Sequence, residues 1–356
     1  MAGQNTGSPG IEDLFERYVQ GLEIMAEGAR AETGQTPKEI IWSRNKAKLY
    51  HYRPGKEKQH PIPVLLIYAL VNRSYILDLK PGNSFVEHLL SEGFDVYMLD
   101  WGIPGPEDKD MSFENYVLDY MPRAVKKVLR NSGTVELTMF GYCMGGTMSA
   151  MYAALFPERL RNLVLLATPI DFTPEDVGLY GIWFDERYQD PDLVAATFGN
   201  VPAPLAYAGT AMLRPMANYV GAYVPMWELL TRGKPMDSWS AMNKWANDPV
   251  PVPGAAFKQW VEDFYQQNKL VKGELELRGR PVDLSNIRMP LLNLAGEKDH
   301  LCFLPQAEAT MDLVGSEDQE FVTLDAGHVG LVMGRGAREG LWPQTTDWLK
   351  PRSGGQ

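Results

Sequence analysis

Residues 135–156 read VELTMFGYCMGGTMSAMYAALF, and this stretch decides the fold. Its first part has the apolar composition of a buried strand, and its last part that of a buried helix. Between them, residues 141–145 match the sharp strand-to-helix turn that presents a nucleophile, with Cys143 at the nucleophile position. Gly141 and Gly145 suit this turn, because side chains there would clash. Helix N–H groups and the helix dipole stabilise a thiolate, so we predict that Cys143 is a nucleophile; an inert buried cysteine is the alternative.

Strand and helix patterns alternate on both sides of this segment. Apolar runs that predict strands cover residues 64–69, 94–99, 135–140, 162–167, 291–295 and 321–324. Helices are predicted over residues 144–155 and 342–349, and Pro122 predicts a kink or break in the helical pattern that precedes the third strand. Such alternation favours right-handed crossovers and a doubly wound, mostly parallel sheet. Together with the nucleophile turn, it predicts the α/β-hydrolase fold with an inserted, mainly helical cap.

The domain organisation follows from where this alternation is interrupted. We predict an N-terminal helix and flexible start over residues 1–35, the first part of the core over 36–170, the cap over 171–286, the second part of the core over 287–350 and a flexible tail over 351–356. The apolar stripe at residues 11–25 indicates a helix that packs on its own core or docks on a partner chain. The aromatic residues of the cap are expected to form, for the most part, a separate small core.

Composition excludes several classes of protein. The 356 residues carry 34 Lys and Arg against 45 Asp and Glu, a net charge of −11, which disfavours a general nucleic-acid binder. Two cysteines, Cys143 and Cys302, are too few for a disulfide framework and suggest a reducing compartment. No apolar run reaches the roughly 18–20 residues of a membrane span, and the first ten residues lack the features of a secretory signal. We therefore expect a soluble, cytoplasmic protein.

A nucleophile on this turn predicts that an acid and then a histidine follow it along the chain. His328 lies after the last predicted strand, where the histidine of this fold belongs, although a capping or core histidine is the alternative. The preceding strand leads into GEKDHLCF, in which Glu297 and Asp299 are both eligible as the acid. Asp299 is favoured because it lies deeper in the loop, and His300 is expected to be a loop residue rather than the base.

Acyl transfer also needs two backbone N–H donors for the oxyanion. Met144, directly after the nucleophile, is predicted to supply one of them. The second is expected from the loop after the first core strand, IYALVNRSYI, with Val71 as the favoured residue. We predict no metal site.

With these residues assigned, residues 36–349 resemble the catalytic subunit of a polyhydroxyalkanoate (poly-3-hydroxybutyrate) synthase. The segments that carry the resemblance are TPKEIIWSRNKAKLY (36–50), LLIYALVNRSYILDL (65–79), GFDVYMLDWG (93–102), GYCMGG (141–146), FYQQNKLVKGEL (264–275) and DAGHVG (325–330). Single-chain members of the family carry a large extra N-terminal domain, which leads us to expect a short subunit of the two-component type. Residues 37–50 and 141–146 look closest to the class IV, Bacillus-type subunit, with class III as the alternative.

The resemblance implies a transferase of the acyltransferase class with catalytic roles for Cys143, His328 and Asp299. It implies 3-hydroxyacyl-coenzyme A as substrate, with 3-hydroxybutyryl-coenzyme A expected, and a growing polyester chain as product. The coenzyme A thioester is then the substrate, and no tightly bound cofactor is expected. The resemblance further implies a small second synthase subunit, of the PhaR type or of the PhaE type, a homodimer, and a location at the surface of cytoplasmic polyhydroxyalkanoate granules.

Two other functions stay open on the sequence. A cysteine-dependent hydrolase of the same fold could act on a thioester or lactone, and it would release free 3-hydroxy acid. A non-catalytic granule-associated protein is the second alternative, which the intact order of cysteine, aspartate and histidine disfavours. The sequence also leaves open whether Asp299 or His328 activates the 3-hydroxyl that extends the polymer, and which residues contact coenzyme A.

Overall fold

The core of the molecule is a single sheet with helices on both of its faces. The computed structural model describes Val19, Gly21 and residues 31–53, 60–217, 221–232 and 236–354. Within these residues the main sheet consists of β1 (Lys38–Arg44), β2 (Ala47–Tyr52), β3 (Val64–Ile67), β4 (Val96–Asp100), β5 (Leu137–Tyr142), β6 (Leu160–Leu166), β7 (Leu291–Gly296) and β8 (Gln319–Leu324), in the order β1-β2-β4-β3-β5-β6-β7-β8. The strands from β4 to β8 along this order are all parallel, and the α/β-hydrolase fold predicted from the sequence is confirmed.

All six predicted strands are present, with ends that shift by about two residues. Every residue of β3, β5 and β7 is buried, as expected for strands covered by helices on both faces. The antiparallel edge formed by β1 and β2 was not predicted. The residues of β1 alternate irregularly between exposed and half-buried positions, and a bulge between Ile40 and Trp42 breaks the period of two. Two small hairpins add the strands Asp78–Lys80 with Asn83–Ser84 and Glu276–Leu277 with Arg280–Pro281.

Helices join the parallel strands and cover the sheet. Those of the core are α1 (Phe85–Ser91), α2 (Met121–Ser132), α3 (Met144–Leu155), α11 (Leu304–Glu308), α12 (Thr310–Leu313), α13 (Gly330–Met333) and α14 (Trp342–Leu349). The break predicted at Pro122 is a change of helix type, because a π-helical turn over Asn115–Tyr120 gives way to α2 at Met121. Proline has no N–H to donate, and the first turn of a helix tolerates that loss.

The cap is inserted between β6 and β7. It contains α4 (Leu179–Trp183), α5 (Pro191–Phe198), α6 (Ala203–Ala211), α7 (Val224–Thr231), α8 (Asp237–Ala246), α9 (Gly254–Gln259), a π-helical stretch over Trp260–Gln266 and α10 (Lys269–Lys272). The expectation of a separate aromatic core is wrong for the aromatic residues of the π-helical stretch. Trp260 packs on Phe113 of the core at 5.8 Å between ring centroids, and Tyr265 packs on Phe172 at 4.9 Å. Rings of this size join the nearest large core, which is the one under the sheet.

The chain ends are only partly described. The helix predicted over residues 11–25 lies mostly outside the described residues, of which Val19 and Gly21 are helical. The predicted flexible tail is held at its start, because Arg352 donates hydrogen bonds to Asp318 at 2.7 and 2.9 Å and Ser353 is buried. None of the helices in the described part of the chain combines the length and the apolar character needed to cross a membrane.

Candidate active site

Cys143 stands at the top of the sheet, between the end of β5 and the start of α3. Its backbone has φ 58° and ψ −134°, a conformation that non-glycine residues adopt only under strain. Its N–H donates to the carbonyl oxygen of Leu166 at 2.9 Å, which holds the turn against β6. A Cβ at Gly141 would overlap Gly146, and one at Gly145 would overlap the backbone of β3. The two glycines therefore allow the close approach of strand and helix that presents Cys143.

Asp299 and His328 come together in the loops that follow β7 and β8. Nδ1 of His328 donates to Oδ2 of Asp299 at 2.7 Å, and both side chains are buried. The other carboxylate oxygen of Asp299 accepts the N–H groups of Leu301 at 2.8 Å and Cys302 at 3.0 Å. Because both oxygens are engaged inside the protein, Asp299 is placed to orient the imidazole rather than to touch a substrate.

The electrostatics of His328 favour the protonated ring. Burial lowers the pKa of His328, but the charges of Asp299 and Cys143 and the hydrogen bonds to both side chains raise it. The net result is a pKa well above the usual value of 6.5. With Nδ1 occupied by Asp299, the second ring nitrogen of His328 is the one available to exchange a proton with Cys143.

Tyr142 is a functional residue that the sequence reasoning missed. Its hydroxyl donates to the carbonyl oxygen of His328 at 3.1 Å, and its ring stacks on the imidazole with 5.0 Å between ring centroids. Tyr142 thus fixes the loop of His328 from the strand that carries Cys143. The two partners are 186 residues apart in the chain, so no local sequence signal reveals this contact.

The other candidate residues of the loop after β7 lie in environments that differ from that of Asp299. Glu297 is exposed and accepts a hydrogen bond from Thr323 at 2.9 Å, so it does not compete with Asp299 for the imidazole. His300 lines the cavity, its pKa is lowered chiefly by burial, and its Nδ1 has no hydrogen-bond partner among the described residues. Cys302 is buried, which raises the pKa of its thiol and makes it unreactive.

The two predicted oxyanion donors, Met144 and Val71, lie on different elements, and Val71 lines the nucleophile's cavity. The N–H of Met144 is the first of α3, and the first N–H groups of a helix have no partner within it. Val71 follows β3 and lines the same cavity as Cys143. Their role as donors stays a prediction.

A cavity of about 580 Å³ opens above Cys143. The loops after β3 and β8 form its floor with Cys143 and His328, and the cap helices α6, α7 and α8 form its roof. Tyr207, Trp239 and Trp245 of the cap give it an aromatic lining. This volume suits a small organic ligand, and the lining is predominantly apolar.

Family models match most of the chain. Residues 62–334 match the model described as the alpha/beta hydrolase fold. Residues 25–89 match the model described as the N-terminus of poly-beta-hydroxybutyrate polymerase (PhaC).

Curated relatives are similar over nearly the whole chain. Poly(3-hydroxyalkanoate) polymerase subunit PhaC of Haloferax mediterranei is 42% identical, over 96% of this chain and 71% of the relative. The subunits of the same name from Synechocystis sp. and Allochromatium vinosum are 35% and 34% identical and are covered over 92% and 96% of their own lengths. Among solved structures, a soluble variant of the Saccharomyces cerevisiae monoglyceride lipase has a TM-score of 0.58 at 16% identity, with 92% of this chain and 98% of that chain covered. At that identity the likeness concerns the fold alone.

Proposed function

The chain belongs to the family of poly(3-hydroxyalkanoate) polymerase PhaC subunits, and we propose that it builds the polyester from 3-hydroxyacyl-coenzyme A through a thioester on Cys143. Membership of this family makes it a polymer-forming transferase. The substrate, the acyl-cysteine intermediate and the release of coenzyme A belong to the proposal. The observation that carries it is the pair Cys143 and His328 at the floor of one cavity, with the buried Asp299 hydrogen-bonded to His328.

Acylation is the first step. The thiol proton of Cys143 lies on His328, whose environment favours the protonated ring, and the thiolate sulfur bonds to the carbonyl carbon of the substrate thioester. The oxygen that becomes negative is stabilised by the N–H groups of Met144 and Val71. As the carbonyl re-forms, the bond to coenzyme A breaks and His328 returns the proton to the departing thiolate. Exchange between two thioesters is close to isoenergetic, so a cysteine suits this substrate better than a serine.

Elongation requires the 3-hydroxyl of one acyl unit to attack the thioester of another. This hydroxyl must lose a proton, and the site offers His328 and Asp299 as bases. The geometry favours His328, because the side chain of Asp299 is fully buried and its two oxygens already accept three hydrogen bonds. Asp299 then acts through His328 in both steps.

Exclusion of water separates a polymerase from a hydrolase with the same three residues. The aromatic lining that the cap supplies to the cavity supports this exclusion. The cap also carries most of the exposed large apolar side chains of the described residues. These are Leu179, Ile182, Tyr188, Leu193, Phe198, Leu205, Met212, Met216, Val224 and Trp227.

We propose that the second subunit, of the PhaR or the PhaE type, binds the cap at these exposed apolar side chains, and that the assembly is a dimer at the granule surface. Two observations support the placement. The relatives are named as subunits, and a concentration of exposed large apolar side chains is typical of an interaction surface.

The experiment that tests the proposed function is incubation of the purified chain, with and without a second subunit, with 3-hydroxybutyryl-coenzyme A. Release of the coenzyme A thiol and turbidity from polymer are followed together. The proposal expects both signals to rise in proportion. Thiol release accompanied by free 3-hydroxybutyrate and no polymer would instead identify a hydrolase.

A further inference from the structure

The loop that carries Val71 is bonded to the cap as well as to the sheet. It leaves β3 and passes through Asn72 and Arg73 toward Tyr75. The indole N–H of Trp245, at the end of the cap helix α8, donates to the carbonyl oxygen of Arg73 at 2.8 Å. Trp245 is buried, and the hydrogen bond itself is partly buried.

A second connection between the loop and the cap involves Tyr75 and Asp248. The hydroxyl of Tyr75 donates to Oδ2 of Asp248 at 3.0 Å, and Nε of Arg73 lies 3.6 Å from the same oxygen. Burial and the Asp248 charge raise the pKa of Tyr75, so its hydroxyl stays a donor at any working pH. Asp248 lies two residues after the end of the cap helix α8, and it contacts both Tyr75 and Arg73 of the loop.

The loop is also fixed from within. Oδ1 of Asn72 accepts the N–H of Arg73 at 2.8 Å, and Asn72 lines the cavity beside Val71. The N–H, the carbonyl oxygen and the guanidinium of Arg73 are thus all engaged, two residues after the expected oxyanion donor. Two of these three contacts come from the cap.

We propose that Trp245 and Asp248 are positioning residues of the cap that hold the Val71 N–H in place for the oxyanion. This assignment rests on the proposed function, because it presumes acyl transfer at Cys143. A donor is effective only within about 2.7–3.1 Å of the oxyanion, so a small shift of the loop removes its contribution. A cap that moves away for substrate entry would carry or release the loop, which couples closure of the cavity to stabilisation of the transition state.

The test compares a mimic of the tetrahedral intermediate with a mimic of the ground state. The trifluoromethyl ketone 1,1,1-trifluoro-4-hydroxypentan-2-one accepts the Cys143 sulfur at its carbonyl carbon, places the resulting oxyanion at the two donors and leaves the thiol proton on His328. The thioether 3-hydroxybutyl-coenzyme A has no carbonyl and reports ground-state binding only. The affinity of each probe is measured for wild type, Trp245→Phe, Tyr75→Phe, Asp248→Ala and Asp248→Asn.

We expect Trp245→Phe, Tyr75→Phe and Asp248→Ala to bind the ketone about tenfold or more weakly. Tyr75 and Asp248 do not line the cavity, so their variants should bind the thioether as wild type does, with kcat reduced at constant KM. Trp245 lines the cavity, so Trp245→Phe is expected to lose more ketone affinity than thioether affinity. Asp248→Asn keeps an acceptor for Tyr75 and should recover most of the ketone affinity. The matched control is Tyr97→Phe, which removes a tyrosine hydroxyl that donates to Asp95 at 3.1 Å. Tyr97 does not line the cavity, and its variant should bind both probes as wild type does.

Two outcomes would overturn the assignment. Unchanged ketone affinity in the variants would show that the cap contacts do not set the donor, and equal losses for both probes would indicate a merely structural role. Failure of the proposed function has a different signature. In that case the wild-type protein forms no ketone adduct that Cys143→Ala abolishes.

Discussion

The two cysteines differ in environment, although Cys143 is hydrogen-bonded to His328 and Cys302 to Asp299. Cys143 stands on the strained turn and lines the cavity, whereas Cys302 is buried and donates its N–H to Asp299 through the backbone. We predict that Cys143→Ala lowers turnover at least about a thousandfold, and that Cys143→Ser keeps only a trace because a hydroxyl ionises far less readily than a thiol. Cys302→Ala is the matched control and should keep most of the activity. Thiol release from 3-hydroxybutyryl-coenzyme A measures all three, and full activity of the alanine variant at 143 would contradict the assignment.

Substitutions of His328 and of Asp299 should impair different steps of the reaction. Without His328 the thiol is not activated, so His328→Gln is expected to abolish acylation of Cys143 itself. Asp299→Asn leaves the base in place but removes the carboxylate that orients its ring, at a cost of up to about 10⁴-fold in turnover. We expect acylation to survive in part in this variant and elongation to suffer more. Single-turnover labelling of Cys143 separates the steps, and equal loss of both steps in both variants would argue against this division.

The raised pKa of His328 also predicts how stability varies with pH. The folded protein keeps the imidazole protonated at pH values where the unfolded chain, with a histidine pKa near 6.5, has lost that proton. This contribution to the free energy of unfolding is complete below about pH 6.5 and is lost as the pH rises through the folded pKa, with a slope of at most about 1.4 kcal/mol per pH unit. In Asp299→Asn the slope should be smaller, because the carboxylate that raises the pKa is gone. Urea unfolding between pH 6 and 9 measures both slopes, and parallel curves would refute the linkage.

At the scale of the element, the turn between β5 and α3 depends on glycine at one position above all. A Cβ at Gly145 would overlap the backbone of Ile67 and Tyr68 in and after β3. We predict that Gly145→Ala lowers the free energy of unfolding by about 1–3 kcal/mol and displaces Cys143. The control is Gly209→Ala in the cap helix α6, where a Cβ meets nothing within 4 Å and should stabilise the helix by a few tenths to about 1 kcal/mol. Equal thermal stabilities of the two variants would contradict the packing argument.

Strands and helices could be predicted from the sequence where their burial imposes a simple apolar pattern. The interior strands are buried on both faces and therefore read as continuous apolar runs, and α3 and α14 were predicted with the bounds that the structure has. The edge strand β1 could not be predicted, because its side chains include an Ile40 that is 53% exposed and its period is broken by a bulge. Edge strands of this kind carry no apolar pattern that distinguishes them from a loop.

The candidate site, too, could be predicted only in part from the sequence. Chain order pointed to Cys143 and His328 and left Glu297 and Asp299 eligible as the acid, and Asp299 was favoured for its depth in the loop. Chain order is informative here because the sheet topology brings the loops after β5, β7 and β8 to one edge. The supporting contacts could not be found in this way. The hydrogen bond from Trp245 to Arg73 joins residues 172 positions apart, and it depends on how the cap is seated over the sheet. Sequence periodicity describes the faces of single elements and does not give the position of an inserted cap.

At the scale of the whole molecule, most of the exposed large apolar side chains of the described residues belong to the cap. The cap also holds the loop of Val71 through Trp245 and Asp248. A protein that binds the exposed apolar side chains of the cap could therefore change both access to Cys143 and the geometry of the oxyanion donor. Binding raises activity only if the bound protein prefers the active arrangement of the cap.

We predict that the chain alone is weakly active, and that its activity rises with the concentration of a second subunit of the PhaR or PhaE type and saturates. Met216→Ser, at a cap position that is 72% exposed, should weaken this activation about tenfold in subunit concentration, because an apolar contact is lost. Val135→Ser is the matched control, since Val135 is 76% exposed but lies outside the cap, before β5. Polymer formation is measured against subunit concentration, at chain dilutions that separate monomer from dimer. Equal activity of the chain with and without either subunit would refute the partner requirement. Equal effects of the two serine variants would show that the second subunit does not bind the cap at Met216.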